Sequence, residues 1–131
     1  MLGTDHTTVP TDALMEASRN MAEMRDLGFE TARAAQIDLG KRVRAVLASK
    51  GLVSVAAPGF EAPGVVVVHA PRPDMVPQFI KAGIQVAAGV PFKLDEPATT
   101  STFRVGLFGL DKLKDVDGTL ARLTKGLETS L

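Results

Sequence analysis

Val65-Val66-Val67-Val68 is the stretch on which the reading of the fold turns. Four successive β-branched apolar residues favour an extended strand. Side chains alternate across a strand, so this run presents apolar groups to both faces of its sheet. The helices of a chain this short cover one face. The other face is expected to await a partner.

Working outward from the valines, Ala57-Pro58-Gly59 and Ala62-Pro63-Gly64 bracket a loop, and Leu52 to Ala56 before it alternates as a strand does. Downstream, Asp74 begins a short helix that ends at Gly83, with Val76, Phe79 and Ile80 as its apolar stripe. Ile84 to Ala88 reads as a short strand ended by Gly89 and Pro91, and Lys93 to Ser101 as a polar loop. Phe103 to Phe108 is a further strand. Asp115 caps a last helix whose Val116, Leu120, Leu123 and Leu127 recur at helical spacing. Gly118 and Gly126 weaken that helix by roughly 1 kcal/mol each relative to Ala, so packing must hold it.

The N-terminal third is helical. Residues 1–7 carry no pattern and read as a loose lead-in or linker. Thr8 or Thr11 caps a first helix, Pro10 suits its first turn, and Leu14, Ala17, Met21 and Met24 recur along it. Gly28 interrupts. A second helix runs from about Phe29 to Lys50, with Phe29, Ala32, Leu39, Val43, Val46 and Leu47 on one side and Gly51 as its C-terminal cap. Asp38 and Arg42, four apart on the wet side, form a surface pair. The expected order is two helices, two strands, a helix, two strands and a helix. That is an α+β domain of two layers, a small mainly antiparallel sheet packed on helices, over residues 8–131. Residues 10–50 form its helical linker and 51–131 its sheet domain.

Composition narrows the function. The chain of 131 residues is 45% hydrophobic and 23% charged, an ordinary globular balance. Its 15 Lys+Arg cancel 15 Asp+Glu, and residues 1–50 balance seven against seven, which leaves no basic face for nucleic acid. Zero Cys removes disulfides, thiolate nucleophiles and Cys-ligated metals, and His6 and His69 lie too far apart in sequence to suggest a zinc cluster. No apolar run is long enough for a membrane span and no secretory signal opens the chain, so a cytoplasmic location is expected.

Arg104 is the main candidate for chemistry. By period two, Phe103, Val105 and Leu107 share one face of their strand, while Thr102, Arg104, Gly106 and Phe108 share the other. With the first set on the helices, Arg104 projects outward, and Gly106 leaves room beside it. A guanidinium on a rigid strand offers a carboxylate two parallel hydrogen bonds; the alternative is an ion pair with a nearby acid at the sheet surface. Asp95-Glu96 suggests acid–base work only superficially, since adjacent loop residues point apart; a structural or solvated role is expected. His69 is expected to end a strand. Gly106-Leu107-Phe108-Gly109 lacks the spacing of a phosphate-binding loop. Met15, Met21 and Met24 are read as packing a core or a partner surface.

The run Thr102-Phe103-Arg104-Val105-Gly106-Leu107-Phe108-Gly109-Leu110-Asp111 resembles the C-terminal signature of class V pyridoxal-phosphate aminotransferases, the alanine–glyoxylate / serine–pyruvate group in particular. Pro10 to Leu14, Ala57 to Val68, Ala82 to Pro91 and Asp95-Glu96-Pro97 are similar in the same order, so the likeness spans roughly residues 8 to 127. Ala98 to Ser101 departs from the pattern.

The resemblance implies the small C-terminal domain of a fold-type-I enzyme, in which Arg104 binds the substrate α-carboxylate. It also implies that the lysine and aspartate that hold pyridoxal phosphate belong to a large domain ahead of this region. None of Lys41, Lys50, Lys81, Lys93, Lys112, Lys114 and Lys125 stands in a matching context. The chain alone is therefore expected to bind no cofactor and to be inactive, with a small amino or keto acid as substrate only in the intact enzyme. A homo-oligomer, or association through the exposed sheet face, is expected. Two other readings remain: a stand-alone interaction module, and a sensor that binds carboxylates through Arg104.

Overall fold

A computed structural model describes residues 9–131. The expected caps at Thr8 and the lead-in 1–7 lie outside them. Helix α1 covers Thr11–Leu27, with Pro10 rather than a threonine at its N-cap. Gly28, at φ 93°, separates it from α2, Phe29–Ser49. Strand β1 is Val65–His69, α3 Met75–Lys81, β2 Ala87–Ala88 and β3 Thr102–Gly106. A short α4, Leu110–Lys114, then leads into α5, Val116–Ser130.

The architecture is α+β, with a helical N-terminal segment and one three-stranded antiparallel sheet in the order β1-β3-β2. Val65 lies opposite Gly106, Val67 opposite Arg104 and His69 opposite Thr102, while Ala87 flanks Arg104 from the other side. β1 and β2 thus run parallel to each other with β3 inserted between them, a split β-α-β unit closed by α3.

The valine run behaves as its pattern demands. Val66 and Val68 are fully buried, whereas Val65 and Val67 on the outward face are half-buried. The inward set joins Phe103 and Val105 of β3 against Leu39, Val43 and Leu47 of α2, Met75 and Phe79 of α3, and Leu120, Leu123 and Leu127 of α5. Phe79 and Phe103 meet with ring centroids 5.0 Å apart and planes at 58°, a favourable tilted pair. The core draws on residues from both sides of Lys50.

Ends and turns follow local chemistry. Gly51 takes φ 78°, its N–H bonds Ala48 O at 2.9 Å, and Leu52 N–H reaches back to Leu47 O at 3.0 Å. That is the paired closure a C-terminal glycine permits, with buried Leu47 and Leu52 sealing it. Asp115 caps α5 by accepting from Gly118 N at 2.9 Å. The Asp38–Arg42 pair forms at 3.4 Å, and Arg42 also reaches Asp117 at 2.7 Å.

Several expectations need correction. Phe29 is 66% exposed and Ile80 59%, so neither belongs to the buried stripe of its helix. Phe29 opens α2 and Ile80 is next to last in α3, so each lies at the end of its helix's apolar stripe. Leu52 to Ala56 forms no named strand: it touches β1 only through a bridge of Ser54 to Val68, with Val55 N–H on Val67 O and His69 N–H on Val53 O, both 2.9 Å. Ile84 to Ala88 pairs only over Ala87–Ala88; Ile84 turns instead toward α5. Gly126, read as a weak point, is buried where a Cβ would stand 2.5 Å from Ile84. The glycine admits that contact.

Candidate functional site

β3 is the middle strand, so Arg104 sits on a backbone paired on both sides, to Val67 and to Ala87. Its side chain is exposed on the face opposite the helices, where the alternation placed it. Among the described residues every ion pair lies elsewhere, and Arg104 makes no side-chain hydrogen bond. The ion pair with a nearby acid, one of the two readings open from the sequence, is not formed. A Cβ built on Gly106 meets nothing within 4 Å, so the floor beside the guanidinium is open.

The guanidinium opens onto a cleft of about 470 Å³ lined by Val65, Gln85, Val86, Ala87, Arg104, Gly106 and Lys112. Val65 and Gly106 belong to paired positions of β1 and β3. Gln85, Val86 and Ala87 lead into β2, and Lys112 comes from α4. Among the described residues no acid lines the cleft. Lys112 Nζ donates to Phe108 O at 2.9 Å and stands 3.7 Å from Asp111 Oδ2, with about a third of the side chain exposed.

Gln85 and Lys112 are site residues that the sequence did not single out. Gln85 lay inside an expected strand, and Lys112 in a segment without periodicity. Gly109, at φ 121°, lies at the turn from β3 into α4.

The loop before β1 is tied down by α2. Gln36 Nε2 donates to Pro63 O at 3.0 Å, and Arg44 donates to Ala62 O at 2.8 Å and Val65 O at 3.0 Å. These bonds fix the chain where it enters β1, and so fix Val65 at the cleft.

The remaining candidates fall outside this site. Glu96 accepts the backbone N–H groups of Phe92 at 2.6 Å, Lys93 at 3.0 Å and Leu94 at 2.7 Å. The bond from Leu94, then those from its neighbours, holds its carboxyl below the usual glutamate range. A carboxylate that accepts three backbone N–H groups is held in its ionised form and organises its loop. Asp95 beside it is exposed, with φ 59°. His69 ends β1 and is exposed, as expected. Met15 and Met21 are 67% and 72% exposed on α1, a helix that buries no residue, so neither packs a core formed by the described residues; Met24 is half-buried.

The residues around Arg104 do not fit pyridoxal phosphate. The one lysine there has its ammonium engaged by the Phe108 carbonyl and the Asp111 carboxylate, and among the described residues no acid lines the cleft to pair with a pyridine nitrogen. No step through that cofactor is assigned to these residues. Among the described residues no three His, Cys, Asp or Glu side chains gather to hold a metal ion, and no helix is long and apolar enough to cross a membrane. Compared with known proteins, the chain matches no family model and no curated protein.

Proposed function

We propose that this chain is the substrate-carboxylate-binding C-terminal domain of a class V aminotransferase of the alanine–glyoxylate / serine–pyruvate type. The observation that carries the reading is Arg104 itself: a guanidinium on the central strand, turned from the helices, that pairs with no acid among the described residues and faces a cleft none of them lines with a carboxylate. A positive charge without a counter-ion at a rigid position is what an anion site requires. In this role Arg104 holds the α-carboxylate by two parallel N–H bonds and fixes which way the rest of the substrate points. A second lobe, carrying the cofactor, closes the cleft and excludes water, which strengthens the ion pair far beyond its worth at an open surface. The half-buried Val65 and Val67 are assigned to that lobe's cover, and the enzyme to the cytoplasm as a homo-oligomer.

An exposed Arg–carboxylate contact is worth only about 0–1 kcal/mol. The isolated chain is therefore expected to show no rise in thermal stability with pyruvate or alanine. The decisive test grafts residues 9–131 in place of the C-terminal domain of an alanine–glyoxylate type aminotransferase. The expected result is a chimera that transaminates, in which Arg104→Ala raises KM for the amino acid at least about tenfold while the cofactor absorbance is unchanged. A chimera that folds, binds cofactor and is indifferent to Arg104→Ala overturns the reading.

A second reading, a stand-alone interaction module, is favoured by α1. This helix of 17 residues buries none of them, and Leu14, Met15 and Met21 stand 55%, 67% and 72% exposed. Sedimentation at rising concentration separates the two. A defined oligomer abolished by Met15→Glu with Met21→Glu supports the module, and a monomer at all concentrations removes it.

A further inference from the structure

Helix α1 turns its apolar residues away from its own molecule. Asn20, Glu23 and Met24 line the hollow it shares with α4, and Glu23 accepts from Lys114 Nζ at 3.1 Å. Leu14, Met15 and Met21 lie on the other side, 55%, 67% and 72% exposed. Every residue from Thr11 to Met21 is exposed, and nothing among the described residues covers this side. Isolated helices shorter than about 12–15 residues are marginal in water, so the first half of α1 lacks the packing that would hold it.

The exposed stripe complements itself when two copies meet head to tail about Ser18. Met15 and Met21 stand three residues to either side of Ser18, and Leu14 and Ala22 four, all on one face of the helix. With Ser18 on a two-fold axis, Met15 meets Met21 of the second copy, and the large Leu14 meets the small Ala22. Ser18 is itself small and lets the helices approach closely at the axis. Charge selects the same direction. Antiparallel order brings Arg25 to Thr11 and Asp12 of the second copy, whereas parallel order sets Arg25 against Arg25 and Asp12 against Asp12.

We propose that α1 joins two copies of this chain as an antiparallel helix pair centred on Ser18. The proposal rests on the second reading, that of an interaction module, and names its partner; it makes no use of Arg104. The contact is isologous, the same face serving both copies. One helix face is small beside the about 20–30 residues a side of a standard interface, so the dimer is weak and depends on concentration.

The test uses the full chain. In sedimentation equilibrium the weight-average mass is expected to rise from one chain toward two between about 10 µM and about 1 mM. Met15→Glu with Met21→Glu sets glutamates of the two copies against each other and is expected to weaken the dimer at least about tenfold. The chain has no cysteine, so single replacements report the geometry. Under the oxidant diamide, Ser18→Cys is expected to form a disulfide between copies, and Glu16→Cys, on another side of α1, to form far less. A mixture of Leu14→Cys and Ala22→Cys chains is expected to yield the mixed dimer in preference to either chain paired with itself. A mass that stays at one chain overturns the proposal and the second reading with it. Association that survives the two glutamates overturns the α1 contact. Association that the glutamates abolish, but in which Leu14→Cys pairs with itself as readily as with Ala22→Cys, overturns the antiparallel pair and leaves the second reading standing.

Discussion

Gly40 lies mid-way along α2, buried, where its neighbours in space are the backbone atoms of Pro63 rather than a side chain that could swing away. In Gly40→Ala the new Cβ would stand 2.7 Å from Pro63 O and 3.1 Å from Pro63 Cα. Two effects of opposite sign compete. Helix propensity favours alanine by about 1 kcal/mol. Overpacking against backbone costs about 1–3 kcal/mol, and displacing Pro63 also strains the 3.0 Å bond from Gln36, worth about 0.5–1.5 kcal/mol. The sum is a net loss of about 0.5–3.5 kcal/mol, centred near 2, which lowers the melting temperature by about 6–10 °C at this chain length. Thermal and urea unfolding of Gly40→Ala, Gln36→Ala and the double variant measure it. If the clash already breaks the Gln36 bond, the double variant loses less than the sum of the two singles. A rise in melting temperature with Gly40→Ala, as an unobstructed helix position would give, refutes the close approach of Pro63 and with it the clamp that sets Val65 at the cleft.

Asp115→Ala leaves Gly118 N–H without its acceptor and should cost about 0.5–2 kcal/mol in thermal unfolding. Asp115→Asn should restore most of it, since the Arg122 contact at 3.7 Å is exposed. The loop holding Glu96 should loosen in acid. Its backbone bonds lower the folded carboxyl below the unfolded value of about 4.3, so its stabilisation is present above that pH and is lost as pH falls through the folded value. Amide exchange at Phe92, Lys93 and Leu94 should therefore quicken on acidification, and be fast and nearly pH-independent in Glu96→Gln once the intrinsic rate is divided out.

What could be read from the linear chain was what neighbours along it decide. Gly51 ends a helix because only glycine reaches φ 78° without steric cost, and Asp115 starts one because its carboxylate reaches an N–H three residues on. Alternation put Arg104 on the opposite face from Phe103 and Val105, since a strand has no other arrangement. Hence the α+β class, the main helices and the outward guanidinium were all legible before any coordinates.

The three-dimensional packing alone decided the rest. Phe29 and Ile80 fit the apolar stripes of their helices but lie past the edge of what covers them, and burial depends on the neighbour as much as on the residue. Gly126 looked like a defect until Ile84 was brought against it. Lys112 lines the Arg104 cleft because the chain turns at Gly109 into α4, which packs on α2 and α5, a placement with no period or motif to announce it. The cleft joins residues from four elements, and their meeting is fixed by the direction in which each element leaves the core, which short-range sequence does not encode.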